Sequence, residues 1–133
     1  MGTLGYLLDT HVFLWAVQEE GSRLSENVLN LLKMPDAPIY VSAVSAYEIM
    51  NKYRIGKLPG YTFVADNYLD ILNKFGAGEL SISTKHAHYA GRFEWDHRDP
   101  FDRLLAAQAF ISNLTLITND PAFQLLPWVT VFW

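Results

Sequence analysis

Short apolar runs alternate along the chain with stretches of helical period. Tyr6-Leu7-Leu8 is an apolar run that ends in Asp9. The residues 10–17 that follow crowd Val12, Phe13, Leu14 and Trp15 together, as a helix packed on a sheet does. Residues 25–33 carry Val28, Leu29, Leu31 and Leu32 at helical spacing and are closed by Pro35 and Pro38. Ile39-Tyr40-Val41, β-branched and aromatic, predicts a second strand ending at Ser42, then a helix over residues 43–55 stopped near Gly56. Tyr68, Leu69, Ile71, Leu72 and Phe75 predict one helix over residues 62–75, ended by Gly76. Leu80-Ser81-Ile82-Ser83 alternates as a third strand, with Thr84 as the cap of a helix running to about Phe93. Asp99-Pro100 opens a helix through about Ser112, and Leu114 to Thr118 form a fourth strand. Asn119-Asp120-Pro121 is a turn or cap signal, and Val129 to Phe132 give a short fifth strand at a sheet edge.

Strands alternating with helices predict an α/β fold, a parallel sheet covered by helices on both faces. With 133 residues and no internal repeat or linker, the expectation is one domain over residues 1–133. In such a sheet ligands bind at the carboxyl ends of the strands. Asp9 follows the first strand, Glu48 lies on the helix after the second, Asp102 opens a later helix, and Asp120 follows the fourth strand. Right-handed parallel connections bring those helix starts to one end of the sheet.

Each acid also has a local structural use. Asp9 and Asp120 suit helix caps. Glu48 stands three residues after Ser45, the capping-box spacing, and four before Lys52, the favourable order for a helical ion pair. Asp99, before Pro100, is a strong N-cap candidate, and Asp102 falls in the first helical turn, where the dipole favours a carboxylate. Capping does not require all of these acids to share one end of a sheet. Gathered carboxylates repel, and the repulsion is relieved by a shared proton or a divalent cation. Caps and metal ligands are compatible roles, and the joint pattern favours a metal site.

Composition narrows the chemistry. There is no cysteine, which excludes disulfides, thiolate metal sites and a cysteine nucleophile, and suits a reducing cytoplasm. Carboxylates without thiols select hard cations such as Mg²⁺ or Mn²⁺ over zinc. A net charge of −4 argues against wrapping nucleic acid on a basic surface, though bound cations would offset it at the site. No apolar stretch approaches the roughly 18 residues needed to cross a bilayer, and the amino terminus lacks a secretory pattern, so a cytoplasmic protein without membrane contact is expected. His86 and His88 diverge on a helix, whereas His11 and His97 neighbour proposed acids and suit surface hydrogen bonds or carboxylate orientation. The four tryptophans are spread along the sequence and predict core or interface rather than a stacking platform.

Leu7-Leu8-Asp9-Thr10-His11 and Val41-Ser42-Ala43-Val44-Ser45-Ala46-Tyr47-Glu48-Ile49 resemble the opening half of a PIN-domain nuclease. His97-Arg98-Asp99-Pro100-Phe101-Asp102-Arg103-Leu104-Leu105-Ala106-Ala107-Gln108-Ala109 and Leu116-Ile117-Thr118-Asn119-Asp120-Pro121-Ala122-Phe123 resemble the other half. The arrangement is similar to the VapC-type toxins of bacterial toxin–antitoxin pairs and covers essentially the whole chain. The resemblance implies a three-layer α/β/α sandwich around a mainly parallel sheet. It implies Mg²⁺- or Mn²⁺-dependent RNA cleavage, an antitoxin partner that docks beside the active site, and a toxin homodimer. Asp9, Glu48, Asp102 and Asp120 take the places of the family's four acids. Asp99 either joins them or only caps, because the Asp-Pro-Phe-Asp variant offers two acids one helical turn apart; Asp102 is the preferred ligand. Thr118, Ser45 and Thr10 look like hydroxyls that orient ligands or the attacking water.

One or two ions held by these acids would bind a scissile phosphate and activate a water. Asp9 would be the central ligand, and Glu48 would bind through water or act as the base. Arg98 and Arg103, flanking the acid pair, are the better candidates for phosphate contacts. Lys52, Arg54 and Lys57 are more simply solvated or paired charges. Aromatics of residues 47–53 and 61–75, where exposed, would suit the antitoxin that the resemblance implies, and core packing explains most of them equally well. A catalytically silent PIN module that binds protein or RNA is the alternative reading. A phosphoryl-transfer receiver or phosphatase is disfavoured, since no second acid adjoins Asp9 and no lysine follows Ile117.

Overall fold

The computed structural model describes residues 2–18 and 23–133. The elements run β1 (Tyr6–Leu8), α1 (Thr10–Gln18), α2 (Glu26–Leu32), β2 (Ile39–Ser42), α3 (Ala43–Arg54), α4 (Thr62–Asp66), α5 (Tyr68–Phe75) and β3 (Gly78–Leu80). They continue with α6 (Thr84–Arg92), α7 (Pro100–Ile111), β4 (Thr115–Ile117), a 3₁₀ turn (Pro121–Leu125) and β5 (Val131–Phe132). The strands form one sheet in the order β3-β2-β1-β4-β5, and every pairing is parallel. Leu7 pairs with Tyr40 and Leu116, and Leu8 with Val41 and Ile117. The three central strands are therefore in step. Asp9, Ser42 and Thr118 come to the same rim.

Alternation along these short strands builds two cores. Leu8, Val41 and Ile117 face Val12, Phe13, Val28, Ile49, Val64 and Leu72 on one side of the sheet. Leu7 and Leu116 face Leu105, Ala106, Ala109, Phe123 and Leu126 on the other. The result is the α/β/α sandwich expected from the sequence, with β1, β2 and β4 covered on both faces.

Several local expectations are corrected. Residues 62–75 are two helices rather than one. Asn67 leaves the helical region at φ −123° and ψ 26°, and its side-chain amide donates to the Phe63 carbonyl at 2.9 Å. An asparagine side chain that takes a backbone carbonyl offers the chain an alternative to continuing the helix. The third strand begins and ends earlier than residues 80–83. Gly78 is needed at its start, because a Cβ there would lie 2.9 Å from the Tyr40 ring. Ser81 instead gives its carbonyl to Gln108, and Ser83, not Thr84, caps α6 in a box completed by the His86 ring. The cap of α3 is Ser42, whose Oγ accepts from the Val44 N–H at 2.9 Å, so Ser45 and Glu48 form no capping box. The tryptophans gather in space: Trp15 meets Trp133, while Trp95 and Trp128 both pack on Phe93.

Gln108 explains how α7 is held against the strand ends. It is fully buried, accepts from Ser42 Oγ at 2.6 Å and donates to the Ser81 carbonyl at 3.2 Å. One amide thus ties the ends of β2 and β3 to α7. Gly5 sets the other end of β1. A Cβ at Gly5 would lie 2.8 Å from the Pro38 carbonyl and 3.0 Å from the Tyr40 ring. Gly5→Ala is expected to destabilise the fold by about 1–3 kcal/mol, the usual cost of overpacking. Urea unfolding measures this, and a variant as stable as the parent would show that β1 shifts freely.

Candidate active site

Asp9 sits one residue beyond the central strand, with 3% of its surface exposed. Its Oδ1 accepts from the Thr10 N–H at 2.7 Å, and its Oδ2 accepts from Thr118 Oγ1 at 2.8 Å. His11 Nδ1 lies 3.3 Å from the same Oδ2, and its Nε2 is 2.7 Å from Asn119 Oδ1. Burial pushes the Asp9 carboxyl above its ordinary range, and the charge of Glu48 adds to the rise. His11, Thr118 and the Thr10 amide act against it. Thr118 Oγ1 also accepts from the Asp120 N–H at 3.0 Å, which links the loop after β4 to Asp9.

A pocket of about 350 Å³ opens above Asp9. Asp9, Glu48, Asp99, Asp102 and Asp120 all line it, together with Thr10, His11, Lys52 and His97. The fold therefore brings the four expected acids, and Asp99, to one cavity. Ser45 and Thr118 are buried beside it, with Ser45 Oγ and Thr10 Oγ1 2.8 Å apart.

The acids are held differently. Asp102 Oδ2 lies 2.6 Å from His97 Nε2. Burial raises the Asp102 pKa to about 7, assisted by the charges of Asp9, Asp99 and Glu48 and opposed by the His97 contact. Asp99 caps α7, accepting from the Phe101 and Asp102 N–H groups at 2.8 and 3.2 Å. Asp120 caps the 3₁₀ turn through the Ala122 N–H. Glu48 is buried, and its Oε2 accepts from Lys52 Nζ at 2.6 Å. Burial alone would lower the Lys52 pKa, but the hydrogen bond and charge of Glu48, with Asp99 and Asp102, raise it.

The second Glu48 oxygen, Oε1, is buried with no hydrogen-bond partner. An unpaired buried acceptor is costly, and a hard cation would complete it. Oxygen-rich donors without thiolates suit Mg²⁺ or Mn²⁺. Among the described residues, His97, Asp99 and Asp102 form a group whose ligand atoms lie within 4.8 Å of one another. Asp9, Glu48 and Asp120 share its pocket without joining that tight group.

One expected contact changes. Arg103 does not point into the pocket: its guanidinium donates to the carbonyls of Ala90, Phe93, Trp95 and His97 and lies over the Phe93 ring. With four of its five N–H donors on backbone carbonyls, it clamps the segment that carries His97 instead of facing a phosphate in the pocket. Arg98 is exposed beside that segment. The sequence carries no signal for the role of Gln108, whereas His97 orients a carboxylate as its place beside the acids suggests, and that carboxylate is Asp102. The His-x₄-Asp spacing ahead of the α7 cap was the available signal for that pairing.

Asp102 contributes to the pH dependence of stability, with the same sign as Asp9, whose pKa is also raised. The folded Asp102 pKa of about 7 exceeds the unfolded 3.8, so the folded state holds an extra proton between those values. The Asp102 contribution to stability then falls as pH rises from about 4 to about 7 and is lost above. The contribution is at most about 4 kcal/mol. Without metal, Asp102→Asn is expected to flatten this slope and melt several degrees above the parent at pH 7.5. Thermal melts across pH test it, and an unchanged slope would contradict the assignment.

Comparison with curated proteins by sequence gives no significant match. Three solved structures illustrate the likeness in fold. A chain of the DNA-bound VapBC complex from Salmonella typhimurium aligns with a TM-score of 0.71 at 17% identity, covering 97% of each chain. A chain of the promoter-bound VapBC2 complex from Rickettsia felis gives 0.65 at 20% identity, covering 97% of this chain and 98% of that one. A toxin–antitoxin complex from Klebsiella pneumoniae gives 0.64 at 19% identity, covering 95% and 96%. The PIN-domain family model matches residues 6–129, nearly the whole chain, and the protein therefore belongs to the PIN-domain family.

Proposed function

We propose that this protein is an Mg²⁺- or Mn²⁺-dependent endoribonuclease and the VapC-type toxin of a toxin–antitoxin pair. The observation that carries the reading is the Asp9 pocket, where a buried, doubly hydrogen-bonded carboxylate meets four more acids and an unpaired Glu48 oxygen. Asp9, Glu48, Asp102 and Asp120 would hold the ion, with Asp99 capping α7 and available as a further ligand. A bound divalent ion would supply charge that polarises a phosphate oxygen and eases proton loss from water.

The protein's own groups prepare that chemistry. Thr118 and the Thr10 N–H fix both oxygens of Asp9, so no rotation of that carboxylate is needed when a substrate arrives. Ser45 and Thr10 hold each other and support the wall beneath Asp9. His97 orients Asp102, whose pKa is raised in the ion-free pocket by burial beside the other acids, and a bound cation would favour its charged form. Arg98, exposed between His97 and Asp99 in the chain, is the arginine that would meet an RNA phosphate.

Partners follow from the same reading. Two of the structural relatives are DNA-bound VapBC complexes and a third is a toxin–antitoxin complex, which supports a cognate antitoxin for this chain. Tyr47, Phe63 and Leu69 are 64%, 71% and 75% exposed, and Leu69 lines a groove with Ala46, Met50 and Tyr68. An apolar antitoxin segment would suit that groove. A homodimer and a cytoplasmic location, where RNA is available, complete the proposal. No helix among the described residues is long and apolar enough to cross a membrane.

The test is incubation with structured RNA pools and Mn²⁺, with and without chelator, followed by sequencing of the cut ends. Metal-dependent cuts are expected. Asp9→Asn should reduce them by at least roughly a thousandfold, as loss of a central ligand does, with an unchanged circular dichroism spectrum. Wild-type cleavage by Asp9→Asn would remove the reading. A folded protein that binds RNA but never cuts it would favour a silent binding module.

A further inference from the structure

One cation of the chain's own reaches the acid pocket. Lys52 lies one turn after Glu48 on α3, with Nζ 2.6 Å from Glu48 Oε2. Helical pairs at this spacing are usually wet at both ends and contribute little. This pair is different. The Glu48 side chain is 6% exposed, whereas that of Lys52 is 40% exposed. The acid is fixed and desolvated, and the ammonium is a half-solvated group on a flexible stem. Only one oxygen of the carboxylate is satisfied by it, since Oε1 has no partner. Asp99 and Asp102 also act on the same ammonium through their charges.

We propose that Lys52 is a built-in counter-cation that competes with the divalent ion for Glu48, and that ion loading requires its ammonium to detach. The proposal rests on the reading that this pocket takes a divalent cation. Without an ion, the ammonium offsets repulsion among acids that burial has stripped of water. When two further positive charges enter, the ammonium and the ion repel across a few ångströms, an interaction that stays appreciable near a protein surface. Only the lysine end of the pair reaches solvent. Detachment is therefore a side-chain rotation into solvent, and it leaves Glu48 and the acids around it in place. Lys52 would thus weaken ion affinity while keeping the ion-free fold stable.

The test measures Mn²⁺ binding to the full chain by isothermal titration, without RNA. Lys52→Gln is compared with Lys52→Arg and with Lys57→Gln, which removes an exposed charge outside the pocket. Lys52→Gln is expected to bind Mn²⁺ roughly tenfold tighter, the scale for losing one partly screened like charge. Lys52→Arg and Lys57→Gln should stay within about twofold of the parent, since the first keeps the pocket charge and the second removes a screened one. In chelator, Lys52→Gln should melt below the parent, and adding Glu48→Gln should restore it. Lys52→Met serves the same comparison if Lys52→Gln does not fold. Equal or weaker Mn²⁺ binding by Lys52→Gln or Lys52→Met, or an equal gain in Lys57→Gln, overturns the proposal while leaving the metal site intact. Absence of Mn²⁺ binding in every protein, the parent included, overturns the proposal and the metal reading together.

Discussion

Burial of a single carboxylate, Asp9, is the constraint on which the rest of the site depends. A carboxylate taken out of water costs several kcal/mol unless hydrogen bonds or opposite charge compensate it. Here the compensation is partial. Thr118 and the Thr10 amide bond its two oxygens, and His11 stands beside one of them, yet burial still raises its pKa. The residual cost is tolerable because the strands on either side fix the geometry. β1 lies between β2 and β4 in exact step with both, and packed helices cover both faces. A site that costs stability in the ion-free protein has the form expected of one preorganised for a charged ligand.

The other acids are distributed so that each has a structural anchor. Asp99 and Asp120 cap elements, Asp102 leans on His97, and Glu48 is paired with Lys52. These anchors keep five carboxylates in one pocket without a collapse of their geometry. They also grade the acids: burial raises the Asp102 pKa to about 7 and raises that of Asp9 as well. Arg103 supports the arrangement from outside by tying four carbonyls of the preceding helix and loop to α7. Gln108 does the same from within by joining α7 to the ends of β2 and β3. The pocket is therefore a product of both cores, since α1 and much of α3 belong to one and α7 to the other.

The architecture was legible because its signals are local and strong. Apolar runs of three or four residues, each followed by a helical pattern, give strand order up to the choice of neighbours, and parallel connections then collect the acids at one rim. Asp99 and Asp120 were readable as caps because Asp-Pro at a helix start restricts both residues. Legibility failed where long-range partners decide. Arg103 has the sequence setting of a phosphate ligand, but four backbone carbonyls from its own neighbourhood claim it. Ser45 and Glu48 have capping-box spacing, but Ser42 starts the helix because its Oγ also serves Gln108, 66 residues away. The break at Asn67 was hidden because apolar spacing continues across it. The strand over residues 80–83 was misplaced because alternation does not register that Ser81 and Ser83 are engaged by Gln108 and by the α6 cap.

The central claim is that the acids around Asp9 form a divalent-cation site. The most direct measurement is anomalous diffraction from crystals grown with Mn²⁺. The account expects a peak in the pocket within direct coordination distance of Asp9 and Asp102 carboxylate oxygens, as a small hard ion takes oxygen ligands. Density confined to His97, Asp99 and Asp102 and away from Asp9, or none in the pocket at saturating Mn²⁺, would contradict it.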